Sequence, residues 1–382
     1  MRICVMYDCL FPWTVGGGER WLRNVAERLA AEGHEVTYLT LTQWERGSEP
    51  DLPGIRVIGI GSRHLELYDG ERRKIGPPLR FGIGVLRHLL RHGRDYDVVH
   101  TSSFPFFSLL AAGAARRIGG YRIVCDWFEV WSKQYWRAYL GPKGGPVGYA
   151  IQRACTHIRQ EPHVLSNMHG KRLTELNGKL DPLVLTGLYA GSLDAPEVIA
   201  PPADPVVVYA GRHTQEKRVP QLVAALAEAH RRRPTLTATL FGDGPYRAQV
   251  LAEIDRLGLG GIVEAPGFVD QEVLAEAMRT ASCIVQPSDR EGYGLVVVEA
   301  ATNGVPVVVV DGPDNAATEL VEPGLNGEIA ASIDPPVLAD AILRAVDGGT
   351  ELRRTTVEWL ERNRERLSLD RSLAMVATSY AR

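Results

Sequence analysis

The stretch 206–230, VVVYAGRHTQEKRVPQLVAALAEAH, decides how the second half of this chain folds. It opens on an apolar, mostly β-branched run of the kind that forms a parallel strand buried on both faces. A turn carrying Gly211 and Arg212 follows, and PQLVAALAEAHRRRP (220–234) then has a helical pattern. A strand, a cationic turn and a helix make the start of a wound α/β sheet, whose ligands sit at the carboxyl ends of its strands. LTATLFGDGP (236–245), GIVEAPGFV (261–269), ASCIVQPS (281–288) and VPVVVVDG (305–312) continue the series of strands. Beyond about residue 335 the pattern is mostly helical.

The first half repeats this plan. RICVMYD (2–8), EVTYLTL (35–41), RVIGIG (56–61), DVVHTSS (97–103), YRIVCDW (121–127) and HVLSNMH (163–169) read as strands, with helical segments between several of them. A glycine-rich turn, VGGGE (15–19), leads into a helix whose face carries Trp21, Leu22, Val25, Ala26 and Leu29 and which stops at Gly33. The stretch 190–205, AGSLDAPEVIAPPADP, is rich in proline and small residues and reads as a linker. The expectation is an α/β chain of two Rossmann-like parallel-sheet domains, 1–195 and 196–365, facing a central cleft. A last helix, 366–382, is expected to pack back on the first domain.

Composition narrows the function classes. A chain of 382 residues is long for a single core, which agrees with two domains. A formal net charge of −3 argues against general nucleic-acid binding. No apolar run is long enough to span a bilayer. MRICVMYDCL at the start has no basic leader followed by a long apolar segment, so a cytoplasmic location is expected. Cys4, Cys9, Cys125, Cys155 and Cys283 are scattered, with neither a paired-cysteine motif nor a metal-ligand cluster. Lysines are only six, and one of them, Lys217, falls in the turn quoted above.

Two loops could carry chemistry. In AGRHTQEKR (210–218), Arg212 and Lys217 stand beyond a strand, where a forked and a mobile cation suit a diphosphate. The plainer alternative is a pair of solvated cations. In DREGYGLVVVEA (289–300), Gly292 and Gly294 would let a phosphate approach the backbone, and the helix that follows offers free N–H groups. Val296–Val298 is poor helix material, so burial must hold it. Glu291 and Glu299 are eight positions apart. At about 1.5 Å rise per residue that is roughly 12 Å, the span between the two ends of a nucleoside diphosphate sugar. Carboxylates suit sugar and ribose hydroxyls; a capping and a surface glutamate are the alternative.

Taken together, E-GYGLVVV-E (291–299), AGR…EK (210–217), GDGP (242–245), PGFV (266–269), GVPVVV…E…PGLNG (304–327) and VGGGE (15–19) resemble, in order, the motifs of glycosyltransferase family 4. These are retaining nucleotide-sugar-dependent enzymes of the GT-B fold, and the resemblance covers essentially the whole chain. It implies that Arg212 and Lys217 bind the donor diphosphate, Glu291 the transferred sugar and Glu299 the ribose. It implies phosphate contacts from Gly292, Tyr293, Gly294, Leu295 and Val296, base contacts from Gly267 and Phe268, and shaping of the cleft by Gly17 and Gly18. It further implies a nucleotide-sugar donor, UDP favoured over GDP or ADP, an unidentified acceptor, and neither a cofactor nor a metal.

There are departures. Asp126 stands where the family usually has histidine, and is expected either to act beside the reacting carbon or to cap a strand end. His100, at the end of DVVHTSS, is expected at the cleft edge, either as a satisfied structural histidine or in contact with the acceptor. Trp127, Trp131, Tyr135 and Tyr139 recur every fourth residue in 126–141, would share a helical face, and are expected either to join the core or to form an acceptor pocket. The stretch 72–94 holds seven cationic residues and no acidic one, so it could meet an anionic membrane. The alternatives to transfer are a nucleotide-sugar epimerase or hydrolase on the same fold, or a non-catalytic nucleotide-sugar binder. A nicotinamide oxidoreductase is disfavoured, because VGGGE lacks the glycine spacing of dinucleotide-binding loops.

Overall fold

A computed structural model of the chain describes residues 1–45, 47–61, 68–69 and 72–380. Two compact units form, one from Met1–Leu188 with Leu369–Arg382, the other from Tyr189–Ser368. The first holds strands β1 (Arg2–Met6), β2 (Glu35–Leu41), β3 (Ile55–Ile60), β4 (Val98–Ser102), β5 (Arg122–Trp127), β6 (Glu161–Val164) and β7 (Leu183–Val184). They pair in the order β3-β2-β1-β4-β5-β6-β7, every pair parallel. Its helices are α1 (Gly17–Ala31), α2 (Gly76–His92), α3 (Phe107–Gly119), α4 (Lys133–Cys155) and α5 (Asn167–Leu176).

Side chains alternate across a strand, so one short apolar run feeds two cores. Ile3 and Val5 of β1 pack with Trp21, Leu22, Val25 and Leu29 of α1. Cys4 and Met6 pack on the other face, with Phe81, Val85 and Leu89 of α2 and with Leu109 and Ala112 of α3. Both faces are covered, as a parallel sheet requires.

Two local expectations need correction. The segment 163–169 is not one strand: β6 stops at Val164, and the Ser166 hydroxyl accepts the His169 backbone N–H at 3.3 Å, which caps α5. Trp127 and Trp131 do not lie on one helical face with Tyr135. Trp127 ends β5, Ser132 caps α4, and only the residues after it are helical. The helix α4 is itself broken at Gly141, whose φ is +77°, just before Pro142.

The second unit repeats the winding with β8 (Val206–Ala210), β9 (Thr237–Phe241), β10 (Val263–Gly267), β11 (Cys283–Gln286), β12 (Val307–Val310) and β13 (Gly327–Ala330). Their order is β10-β9-β8-β11-β12-β13, again all parallel. Its helices are α6 (Val219–Arg232), α7 (Arg247–Arg256), α8 (Gln271–Thr280), α9 (Leu295–Thr302), α10 (Pro335–Asp347) and α11 (Gly349–Leu367). Val207 and Tyr209 pack on Leu222, Val223 and Leu226 of α6 and on Leu338 and Ile342 of α10. The last helix, α12 (Leu369–Tyr380), belongs to the first unit, where Leu373, Val376 and Tyr380 are buried beside α1. Each such side chain contributes about 1.5–3 kcal/mol by leaving water.

The loops after β8 and β9 lie backbone against backbone. The N–H groups of Gly211 and His213 donate to the carbonyls of Phe241 and Asp243 at 3.2 and 2.9 Å, and that of Tyr246 to the carbonyl of His213 at 2.9 Å. Gly242 sits at φ +113°, and a Cβ there would lie 2.0 Å from the Gly211 carbonyl oxygen. The GDGP motif is therefore a backbone requirement before it is anything else. Gly242→Ala is expected to destabilise the second unit by about 2 kcal/mol or more, from strained φ and steric overlap together. Urea unfolding checks this; an unchanged midpoint would contradict it.

Candidate active site

In the second unit the strand order reverses between β8 and β11, which pair with each other. Loops leaving adjacent strands in opposite directions open a crevice at their carboxyl ends. The β8 loop carries the exposed Arg212 and then a single 3₁₀ turn, Gln215–Lys217. Arg218 follows with a left-handed φ of +51°. This orientation lets its guanidinium pair with Asp289 of the β11 loop. The Asp289 N–H also donates to the Glu216 carbonyl at 2.8 Å, so the two loops are stitched by backbone as well.

That stitching sets Lys217 against Glu291. Lys217 Nζ lies 2.5 Å from Glu291 Oε1, and Gln286 Nε2, from the end of β11, donates to the same oxygen at 2.6 Å. Glu291 and its neighbour Arg290 form a two-residue parallel ladder with Asp314 and Asn315. Asn315 fixes that ladder in turn: its Nδ2 donates to the Ser288 and Val310 carbonyls at 3.2 and 2.8 Å, and its Oδ1 accepts the Ala317 N–H at 3.1 Å. Burial alone would push the Glu291 carboxyl up. The Lys217 ammonium and the hydrogen bonds from Lys217 and Gln286 outweigh it, and Glu291 is held below the usual glutamate range. Glu299 has no such partner set and burial pushes it up.

Glu291 and Glu299 are not two points on one helix, as the 12 Å estimate assumed. Glu291 lies in the short ladder, and α9 begins only at Leu295. Gly294 makes the turn between them at φ +105°, where a Cβ would meet the Ala317 Cβ at 2.5 Å. Tyr293 is buried, Gly292 and Val296 are half-buried and Leu295 is exposed. Val297 and Val298 are fully buried, which holds the β-branched run in a helix. Gly267 ends β10 and its carbonyl accepts the Gly242 N–H at 2.9 Å, while Phe268 beside it is exposed. Arg212, Lys217, Gly267, Phe268 and Gly292–Val296 thus all belong to the carboxyl edge of one sheet or the loops leaving it, with Glu299 in the helix that follows.

The other expected site residues lie in the first unit. Gly17 and Gly18 open α1, and a Cβ on Gly18 would come within 2.8 Å of the Tyr7 hydroxyl. Asp126 and His100 both take the structural one of their two expected roles. Asp126 is 1 % exposed and His100 fully buried. Asp126 Oδ2 accepts the Trp21 indole N–H at 2.7 Å and lies 2.9 Å from His100 Nε2, while Oδ1 lies 3.2 Å from His163 Nδ1. His100 Nδ1 hydrogen-bonds the Tyr380 hydroxyl at 2.5 Å, which ties α12 to the sheet. Trp127 is likewise core, its indole N–H donating to Gln160 at 2.9 Å. Of the expected aromatic residues, Trp131, Tyr135 and Tyr139 are half-buried, with the Trp131 ring 4.8 Å from that of Tyr135 and 5.1 Å from that of Tyr139.

Asp126 is thus a buried strand-end group, and its partners explain how it is held. Burial would raise its carboxyl, but the bonds to His100 and His163 hold it well below the ordinary aspartate range. His100, Asp126 and His163 are also, among the described residues, the one set of three with ligand atoms within 4.8 Å of each other. Histidine and carboxylate suit zinc, yet here these atoms are turned on one another and on Trp21 and Tyr380, so the cluster reads as a hydrogen-bonded clamp. Trp21, His163 and Tyr380 come from three separate elements and no spacing in the sequence announces them. Gln286 is a polar residue closing an apolar strand, a signal that could have been read. Trp21→Phe leaves a buried carboxylate oxygen short of a donor and is expected to cost about 1–3 kcal/mol. Asp126 contributes stability above its unfolded pKa and loses it as pH falls through its folded one. Acid unfolding of the variant should therefore begin at higher pH than in the wild type; coincident curves would contradict the clamp.

Comparison with known proteins identifies the family and the fold. Residues 15–177 match the model described as Glycosyltransferase Family 4, and residues 194–360 the model described as Glycosyl transferases group 1. A D-inositol 3-phosphate glycosyltransferase of Jonesia denitrificans is 30 % identical over 405 residues, covering 96 % of this chain and 91 % of that protein. An alpha-D-kanosaminyltransferase of Streptomyces kanamyceticus is 33 % identical over 154 residues, 40 % of this chain and 39 % of that protein. Sucrose-phosphate synthase of Thermosynechococcus elongatus superposes with a TM-score of 0.78 at 20 % identity, covering 100 % of this chain and 98 % of that one. Anabaena HepE in complex with UDP-glucose gives 0.70 at 18 % identity, covering 100 % and 99 %.

Proposed function

This chain belongs to glycosyltransferase family 4 and is a glycosyltransferase of the GT-B fold, and from that premise we propose that its second unit binds a nucleoside diphosphate sugar. The observation that carries the reading is the Lys217–Glu291 pair, at 2.5 Å where the strand order reverses. Lys217 and Arg212 would take the charge of the diphosphate, and Glu291, released from the ammonium, would accept hydroxyls of the sugar. The N–H groups that open α9 beyond Gly294 would add donors to phosphate. Glu299 would accept from the ribose, and the Gly267–Phe268 edge would flank the base. UDP is favoured because HepE, of the same fold, has been solved with UDP and with UDP-glucose.

The proposed transfer is metal-independent and retains configuration. The bond from the sugar carbon to the diphosphate oxygen breaks and its electron pair leaves with the diphosphate. The acceptor oxygen bonds to the same face of that carbon, and its proton passes to the leaving phosphate. Arg212 and Lys217 would stabilise the negative charge that develops there. Asp126 has no part in this step. Trp131 and Tyr135 are proposed to meet the acceptor, since half-exposed rings pack well on sugar faces and apolar groups.

Lys217→Ala is expected to weaken UDP binding about 10- to 100-fold, the worth of charge-assisted hydrogen bonds, and to leave uridine binding unchanged. Equal loss for both ligands would contradict the assignment. Glu291→Gln is expected to lower turnover about 100-fold or more with the fold intact. Without its ammonium partner Glu291 keeps the Gln286 hydrogen bond but loses the largest influence that offsets burial. The acid limb of the pH–activity profile should therefore move to higher pH in Lys217→Ala, and an unmoved limb would count against the pair.

A further inference from the structure

We propose that the packed helices α2 and α3 form a docking surface for an anionic lipid bilayer. The two helices touch closely: a Cβ on Gly82 would lie 2.5 Å from the Phe107 Cβ. The inner face of α2 carries Phe81, Val85 and Leu89 into the core, which leaves its outer face to be explained. That face is not polar. Leu79, Ile83 and Leu90 are 43 %, 43 % and 46 % exposed, and Ile75, just before the helix, is 65 % exposed. At 100° per residue, all four fall within an 80° arc. On α3, Leu110 and Ile118 are exposed as well.

Charge says what such a surface meets. Arg80, Arg87 and Arg91 edge the apolar stripe on α2, and α3 ends in Arg116 and Arg117. Neither helix contains an acidic residue. Asp95, just beyond α2, is paired with His92 at 3.3 Å. Among the described residues, Arg80, Arg87, Arg91 and Arg117 form no ion pair, whereas exposed arginines elsewhere commonly do, as Arg28, Arg256 and Arg354 show. A chain of net charge −3 has thus segregated cations without acids around exposed leucine and isoleucine. An anionic bilayer satisfies both features, taking apolar side chains below the headgroups and arginines among the phosphates. Nucleic acid would use the arginines alone. Arg72 and Arg73, which the sequence also placed in this surface, form a short ladder before α2, and their side chains lie outside the described residues.

Flotation of the full chain with phosphatidylcholine vesicles, with and without phosphatidylglycerol, tests this independently of donor binding. The expected result is recovery with the anionic vesicles at low ionic strength and progressive release as salt rises. Arg87→Gln with Arg91→Gln should lower the partition coefficient about 25-fold, at about fivefold for each arginine. Ile83→Ser with Leu90→Ser should lower it further at every salt concentration. Both variants replace exposed side chains, so their urea midpoints and UDP affinity should match the wild type. No flotation at low salt, equal capture by neutral vesicles, or variants that float as the wild type does would overturn the proposal. So would a wild-type dimer in solution that Ile83→Ser with Leu90→Ser converts to monomer, since the stripe would then join two copies of the chain.

Discussion

A carboxylate withdrawn from water stays charged only if something nearby repays the lost hydration, and at Glu291 that something is Lys217. The pair does more than satisfy itself. Lys217 reaches Glu291 because the loops after β8 and β11 are joined by the Asp289 N–H to the Glu216 carbonyl and by Arg218 to Asp289. Gln286 holds the same carboxylate oxygen from the strand end, so Glu291 is placed by sheet, loop and ion pair together. A carboxylate and an ammonium poised on each other are also poised to separate. A ligand that brings hydroxyls to one and phosphate to the other replaces a single contact with several.

Behind this contact stands a backbone constraint. The edge on which the donor is proposed to sit is built of chain segments at bonding distance: Gly211 against Phe241, His213 against Asp243, Gly242 against Gly267. Gly242 and Gly294 each hold a positive φ that also brings them within overlap of a neighbour were a Cβ present. The motif glycines are thus explained before any ligand is considered, and the approach of a phosphate is a second use of the same geometry. The first unit follows the other strategy for buried charge. Asp126 is enclosed by two histidines and an indole N–H, and the result ties five elements of the unit, α1, β4, β5, β6 and α12, together.

The winding of both sheets was legible in the sequence because parallel strands are short apolar runs and their helices keep a period of 3.6. The Arg212–Lys217 and Glu291–Glu299 loops were legible too, since spacing alone puts them after strands. What failed was geometry that depends on distant partners. For Asp126 the choice between an active group and a strand-end cap stayed open, because Trp21, His163 and Tyr380 are far from it in the chain. Trp127 looked like the first member of a helical stripe because nothing in 126–141 marks Ser132, rather than an earlier residue, as the cap. The helical span between Glu291 and Glu299 failed for the same reason: a ladder with Asp314 and Asn315 cannot be seen from local pattern.

The most direct test of the account is calorimetric titration of the wild-type chain with UDP in the presence of EDTA. If the cations of the β8 loop and the opening of α9 form a diphosphate site, UDP should bind saturably at one site per chain. Its affinity should be the same with and without the chelator and should fall with ionic strength. No saturable binding, or binding that EDTA abolishes, would contradict the assignment of Arg212, Lys217 and Glu291 to the donor.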